Sequence, residues 1–265
     1  MWVKTDDGGV VRIDPSTDEV TGTAHVDTAT DPSNYCQGIG TDGTAVWACT
    51  ASDSATGIVR IDPATMATGV PVAVDKVFDQ LSLPHTSRGI WVLTADGTAV
   101  TVVDPMSQET TSYPLPARCL QLAASEEVVV ATCAVDNLVV ALDAETGSVR
   151  ARASLDAPRI AVATDHDVWV DTVHGVTRLS TDLEVRAVYP DQVVGLEGDL
   201  AIAGDEVWVR GAGGVLWRID PTRNTVAEQL SPRAALSAGS LLVTTDAVWA
   251  SANNDGAVLH LRRAG

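Results

Sequence analysis

Four cysteines stand in two pairs whose spacing could form covalent bonds. Cys36 and Cys49 lie symmetrically about Asp42-Gly43, a dipeptide that favours a tight hairpin, so they are expected to face each other across adjacent antiparallel strands. Cys119 and Cys133 repeat the arrangement about Glu126. Directly opposed positions bring two backbones close enough for a disulfide, and the expected bonds are Cys36–Cys49 and Cys119–Cys133. The competing readings are two pairs of buried thiols, which are common core residues, and a zinc site. Zinc is disfavoured because no histidine or further cysteine shares the spacing of known zinc motifs. Disulfides persist in oxidising compartments, so an extracytoplasmic, secreted or cell-surface location is expected.

The other reactive residue types are scattered. His25, His85, His166, His174 and His260 are far apart, with only His85 on the first strand of a repeat. No serine sits in a Gly-x-Ser-x-Gly turn, and no glycine-rich loop could cradle phosphate. Catalytic residues, a metal site and a cofactor are therefore not predicted.

What must position the cysteines is a repeat. A Val-Trp-Val phrase, a Gly/Asp turn and then Val-x-Arg-Ile-Asp-Pro recur about every forty residues, the period of a propeller blade. The clearest copies run from Val46-Trp47 to Asp62-Pro63 and from Val207-Trp208 to Asp220-Pro221. Short β-branched runs broken by Gly, Asp, Asn and Pro, without helical periodicity, give an all-β class. The predicted fold is a single β-propeller domain over residues 1–265, of seven four-stranded antiparallel blades, with six as the alternative. The first blade is expected to lack its first strand and the last its fourth, so the two ends cannot merge into one blade. In the first full repeat the four strands are expected at Gln37–Thr41, Ala45–Thr50, Ile58–Ile61 and near Val70–Val74.

Trp47, Trp91, Trp169, Trp208 and Trp249 occupy one equivalent position, with Val130 in the remaining full repeat, and are expected to pack between blades. Arg12, Arg60, Arg178 and Arg218 alternate with the apolar residue that follows and should be solvated or paired with Asp. Asp at the first position of each Asp-Pro turn should accept backbone hydrogen bonds.

The blade phrase resembles the YVTN-type and streptogramin-lyase-like bacterial propellers. Streptogramin lyases are metal-assisted eliminases, and the resemblance implies catalytic His on a first strand and Glu just after the second-strand aromatic. This chain departs there. Ala48-Cys49-Thr50, Val92-Leu93-Thr94, Val170-Asp171-Thr172, Val209-Arg210-Gly211 and Ala250-Ser251-Ala252 follow the five Trp, without that Glu. The leading reading is a non-enzymatic binding, sensor or protein-interaction module; the alternative is a streptogramin-lyase-like enzyme with a diverged site.

Long connections concentrate near the N-terminus, at His25–Tyr35, Thr50–Gly57 and Asp75–Gln80. They are expected to wall one rim of the propeller, where a protein or small polar ligand would bind. Tyr35 and Phe78 are its aromatic candidates, and Gln37, Gln80, Arg118, Arg159 and Asp199 form a polar ring where each first strand begins.

With 35 acidic against 17 basic residues the net charge is −18, which repels phosphate backbones and anionic headgroups. Nucleic acid is not an expected partner. No apolar run reaches the roughly eighteen residues of a membrane span, and the N-terminus does not read as a signal peptide. An export signal or a membrane-anchored extension is therefore expected upstream.

Overall fold

The computed structural model describes residues 1–29, 37–52, 55–75, 80–190, 198–204, 206–211, 214–231 and 239–263. These form seven antiparallel sheets arranged as the blades of a propeller. Blade one holds β1 (Trp2–Lys4), β2 (Gly9–Ile13) and β3 (Val20–His25). Blade two holds β4 (Ile39–Thr41), β5 (Val46–Ala51), β6 (Thr56–Ile61) and β7 (Val72–Ala73). Blade three follows with β8 (His85–Thr86), β9 (Gly89–Leu93), β10 (Ala99–Val103) and β11 (Thr110–Pro114). Blade four has β12 (Gln121–Ala124), β13 (Val128–Cys133), β14 (Leu138–Asp143) and β15 (Val149–Ser154). Blade five has β16 (Ala161–Ala163), β17 (Asp167–Thr172), β18 (Gly175–Ser180) and β19 (Val185–Tyr189). Blade six has β20 (Asp199–Ala203), β21 (Glu206–Arg210), β22 (Leu216–Asp220) and β23 (Thr225–Leu230). Blade seven has β24 (Leu241–Val243), β25 (Ala247–Ala252) and β26 (Ala257–Arg262).

The incomplete blades fall as the repeat predicts: the first sheet has three strands and so does the last. First strands lie innermost, because β12 touches β16, β16 touches β20 and β20 touches β24. The ring is closed by side chains rather than by a shared sheet. His260 Nδ1 of β26 lies 2.6 Å from Asp18 Oδ1, and Arg262 reaches the Ser16 carbonyl, both in the turn after β2. The His260 ring also stacks on Trp249, with centroids 3.7 Å apart.

Four of the five repeated Trp residues pack between blades as expected. Trp47 and Trp91 are fully buried and Trp169, Trp208 and Trp249 nearly so; the first four belong to apolar surface shared by neighbouring sheets, whereas Trp249 stacks on His260 of its own blade. Three of their indole N–H groups find partners within their own blades: Trp47 donates to Asp42 at 2.8 Å, Trp91 to Thr86 Oγ1 at 2.9 Å and Trp208 to Glu206 at 3.3 Å. The Asp-Pro turns close as predicted. Asp62 Oδ1 accepts from the Ala64 and Thr65 amides, and Asp104 Oδ1 from Met106 and Ser107, all at 2.8 Å. Two of the repeated arginines do more than pair within a sheet. Arg12 and Arg178 donate at 2.5 Å to the carbonyls of Pro63 and Pro221 in the next blade, clasping neighbours together.

The cysteine register needs correction. The second-blade turn is centred on Gly43-Thr44 rather than Asp42-Gly43, with Asp42 N–H donating to Ala45 O at 3.3 Å. Asp42 stands one position earlier because its carboxylate accepts the amides of Thr44 and Ala45, the role of the first residue in a turn. Cys49 consequently lies opposite Gly38, whose carbonyl accepts its amide at 3.0 Å. Cys49 is disulfide-bonded; Cys36, its expected partner, lies outside the described residues. In blade four the turn is Glu126-Glu127, which sets Ala124 opposite Val129 and places Cys133 one step off Cys119. The Cys119–Cys133 disulfide forms all the same, because Cys119 precedes β12 and is free of the ladder's register.

Candidate functional site

Where the first strand begins in blades three to seven, the chain is tied to the end of the second strand of its blade, with chemistry that varies from blade to blade. In blade three, Gln80 is fully buried; its side-chain N–H groups reach the carbonyls of Ser82 at 2.8 Å and Trp91 at 3.2 Å, and its oxygen accepts the Leu93 amide at 2.9 Å. Blade four uses the Cys119–Cys133 disulfide. Blade five pairs Arg159 with Asp171 at 3.3 Å, the carboxylate being almost wholly buried. Blade six reverses the charges, setting Asp199 opposite Arg210 in register. Blade seven uses a hydroxyl: Ser251 Oγ accepts the Ser240 amide at 2.8 Å, and Arg210 of the preceding blade donates to the Ser251 carbonyl at 2.6 Å.

Gln80, Arg159 and Asp199 therefore lie ahead of or at the start of first strands, each engaged with its own blade. Arg118 is exposed and its amide donates to the Asp136 carboxylate at 3.2 Å; Gln37 is half-buried just before β4. Tyr35 and Phe78 lie outside the described residues. Asp171, Arg210 and Ser251 were not singled out from the sequence. All three sit two residues after a repeated Trp, as do Cys49 and Leu93, so an alignment of the repeats on Trp marks the position of these locks; the blade-four lock, Cys133, stands three residues after Val130.

Burial drives the electrostatics of blade six. Desolvation pushes the Asp199 carboxyl up to about 6, against the pull of the Leu241 and Leu200 amides and of Arg210. The Leu241 amide, 2.7 Å away, belongs to blade seven, so this carboxylate also spans the seam between the two blades. Asp167 shows the opposite outcome. Burial would raise it, but hydrogen bonds from Arg178 and Arg186 at 2.6–3.0 Å outweigh burial and hold it below the usual carboxylate range.

Two cavities flank this framework. One of about 150 Å³ lies between blades one and two and is lined by His25, Asp27, Thr50 and Thr68. His25 ends β3 and Thr50 is the penultimate residue of β5, so this cavity borders the connections predicted to form the rim, and Thr50 Oγ1 donates to the Asp27 carbonyl there at 3.2 Å. A larger one, of about 310 Å³, sits between blades five and six among Thr164, His166, Asp167, Arg178 and Pro221, on the face of the Asp-Pro turns. Its floor is the Arg178 clasp, with the guanidinium 5.3 Å above the Trp169 ring.

The histidines stay apart. His174 pairs with Asp156 on the exposed surface, His260 closes the ring, and His85 is paired with Ile90 in the ladder of blade three. Among the described residues no group of three His, Cys, Asp or Glu side chains is gathered as a metal site would require.

No protein-family model and no curated protein matches the sequence. Among solved structures, the computationally designed Ika8 protein aligns with a TM-score of 0.67, covering 99% of this chain and 92% of that one at 13% identity. BamB from Moraxella catarrhalis aligns with a TM-score of 0.64, covering 99% and 93% at 16% identity. At such identities the likeness is one of fold.

Proposed function

We propose that this chain is a non-enzymatic, extracytoplasmic binding module whose ligand, a protein or a small polar molecule, is taken at the face where the second-to-third and blade-to-blade connections meet, beside blades one and two. The observation that carries the reading is how polar groups are used. At the inner strand starts they lock the blades, whereas the cavity of His25, Asp27, Thr50 and Thr68 gathers polar groups at an inter-blade seam of that face. A rigid scaffold with polar groups at a loop-bordered cavity is the usual construction of a recognition surface. Tyr35 and Phe78 fall in the connections beside it and are proposed as its aromatic anchors. The oxidised cysteines support a location outside the cytoplasm. Among the described residues no helix is long and apolar enough to cross a membrane. The blade phrase keeps its resemblance to the YVTN-type and streptogramin-lyase-like propellers.

Photo-crosslinking in cells that naturally make the protein tests this. A photoreactive residue at Asp27 should give a discrete adduct, and one at Asp165 on the opposite face should not. Adducts from Asp165 alone would move the site, and metal-dependent turnover of a cyclic ester by the purified protein would overturn the non-enzymatic reading.

A further inference from the structure

The outer edge of β26 is one strand short of its siblings. In every other blade the third strand carries a fourth on its outer side, and among the described residues none lies beyond β26. No residue of β26 is buried, whereas β6, β10, β14 and β18 are mostly buried and β2 and β22 partly so beside their fourth strands. The hydrogen-bond phase is fixed on the inner side. Ser251 N–H donates to Ser240 O, towards β24, and Arg263 N–H donates to Asp246 O. Antiparallel alternation then turns the N–H and C=O of Val258, His260 and Arg262 outward. Such a row is a template for another strand.

The six other blades show what this template accepts. His260 is the residue opposite the repeated Trp, or opposite Val130 in blade four, equivalent to Arg12, Arg60, Val102, Ala141, Arg178 and Arg218. Two positions earlier stand Val258 and its equivalents, and the fourth strand always sets an apolar residue against them: Ala24, Val72, Tyr113, Ala153, Tyr189 and Leu230. Opposite the His260 equivalent, where the ladder is complete, stand Gly22, Thr111, Ala151, Ala187 and Glu228. These residues are small, except where Glu228 pairs with Arg218 at 3.1 Å. The basic residues at the end of β26 are engaged within the chain, His260 and Arg262 with Asp18 and Arg263 with Glu206 at 2.7 Å, so the edge offers backbone and apolar surface rather than free charge.

We propose that the β26 edge binds an extended segment of another polypeptide as an antiparallel fourth strand. That segment has the pattern small-or-acidic, any residue, apolar, its first position opposite His260 and its third opposite Val258. Backbone pairing supplies the attachment and the apolar position the selectivity, as in other strand-addition complexes. A second copy of this chain is disfavoured as the occupant because two chains, each of net charge −18, repel one another. This site is on the perimeter and stands or falls apart from the cavity of blades one and two.

The probe is a fluorescent peptide of Asn224–Ser231, the blade-six strand that carries both Glu228 and Leu230, measured by anisotropy against the whole protein. Saturable binding is expected, weakened at least tenfold when the peptide carries Leu230→Asp and at least tenfold when the protein carries Val258→Pro. Proline is tolerated on an edge strand where its N–H would face solvent, and an unchanged Tm checks the fold. Val258→Asp, with the backbone intact, gives a second protein variant should the proline destabilise blade seven. Absence of saturable binding, or equal binding of the Leu230→Asp peptide, overturns the proposal. So does slow hydrogen exchange of the Val258, His260 and Arg262 amides in the protein alone, or a dimer in sedimentation that Val258→Pro disperses, since either shows the edge already covered.

Discussion

Asp199 should make the propeller lose stability as pH rises from 4 to 7. Its carboxyl titrates at about 6 in the folded chain against 3.8 when free, so between those values the folded state holds more protons than the unfolded one. Stability therefore falls with rising pH across that window, and the cost is complete above 6. At about 1.4 kcal/mol per unit the 2.2-unit difference amounts to about 3 kcal/mol, an upper limit because the residue keeps part of its surface in water. Other carboxylates act in the opposite sense at lower pH. Asp42, for which burial is outweighed by hydrogen bonds from Trp47, Thr44 and Ala45, and Asp96, held by Thr98 and Thr94, both titrate at about 2. Their stabilisation is lost as pH falls from 4 towards 2, outside the Asp199 window. Urea unfolding of the native chain and of Asp199→Asn at pH 4, 5, 6 and 7 isolates the one group. The native protein should lose up to about 3 kcal/mol relative to the variant between pH 4 and 7. A constant difference, or a native protein that gains on the variant as pH rises, would refute the desolvated carboxylate at the seam of blades six and seven.

Three further outcomes are expected. Replacing Cys119 and Cys133 with Ser should cost about 3 kcal/mol in the chain-entropy model for a separation of 14 residues, read as a lower urea midpoint. Arg178→Ala removes the Asp167 pair, the Pro221 carbonyl bond and the contact with Trp169, and should cost about 3 kcal/mol by thermal unfolding; Arg150→Ala, whose Asp182 partner is mostly exposed, should cost under about 0.5 kcal/mol. His260→Ala should loosen ring closure, costing about 1–2 kcal/mol through the lost stack on Trp249 and the lost contact with Asp18, and hydrogen exchange should speed up first in β1–β3 and β24–β26.

The blades were legible in the sequence because each is a local object. The alternation of Val46-Trp47-Ala48 with its turn and with Arg60-Ile61-Asp62 encodes a strand pair without reference to the rest of the chain, and repetition of that phrase sets the count of seven. The three-stranded ends followed from the same phrase, because its first and last copies are truncated. The exact cysteine register was not legible, since a shift of one turn position, caused by the Asp42 carboxylate accepting the Thr44 and Ala45 amides, moves every facing pair. The ring of Gln80, Arg159 and Asp199 was visible as a set of polar residues at equivalent places, but its partners were not, because Leu93, Asp171 and Arg210 come from the far end of the next strand. Ring closure through Asp18 and His260, 242 residues apart, depends on seven rotations adding up to a circle. No local pattern encodes that sum. The raised Asp199 carboxyl has the same origin: its residue type is local, whereas its desolvation comes from the seam with the following blade, and only the assembled ring supplies that.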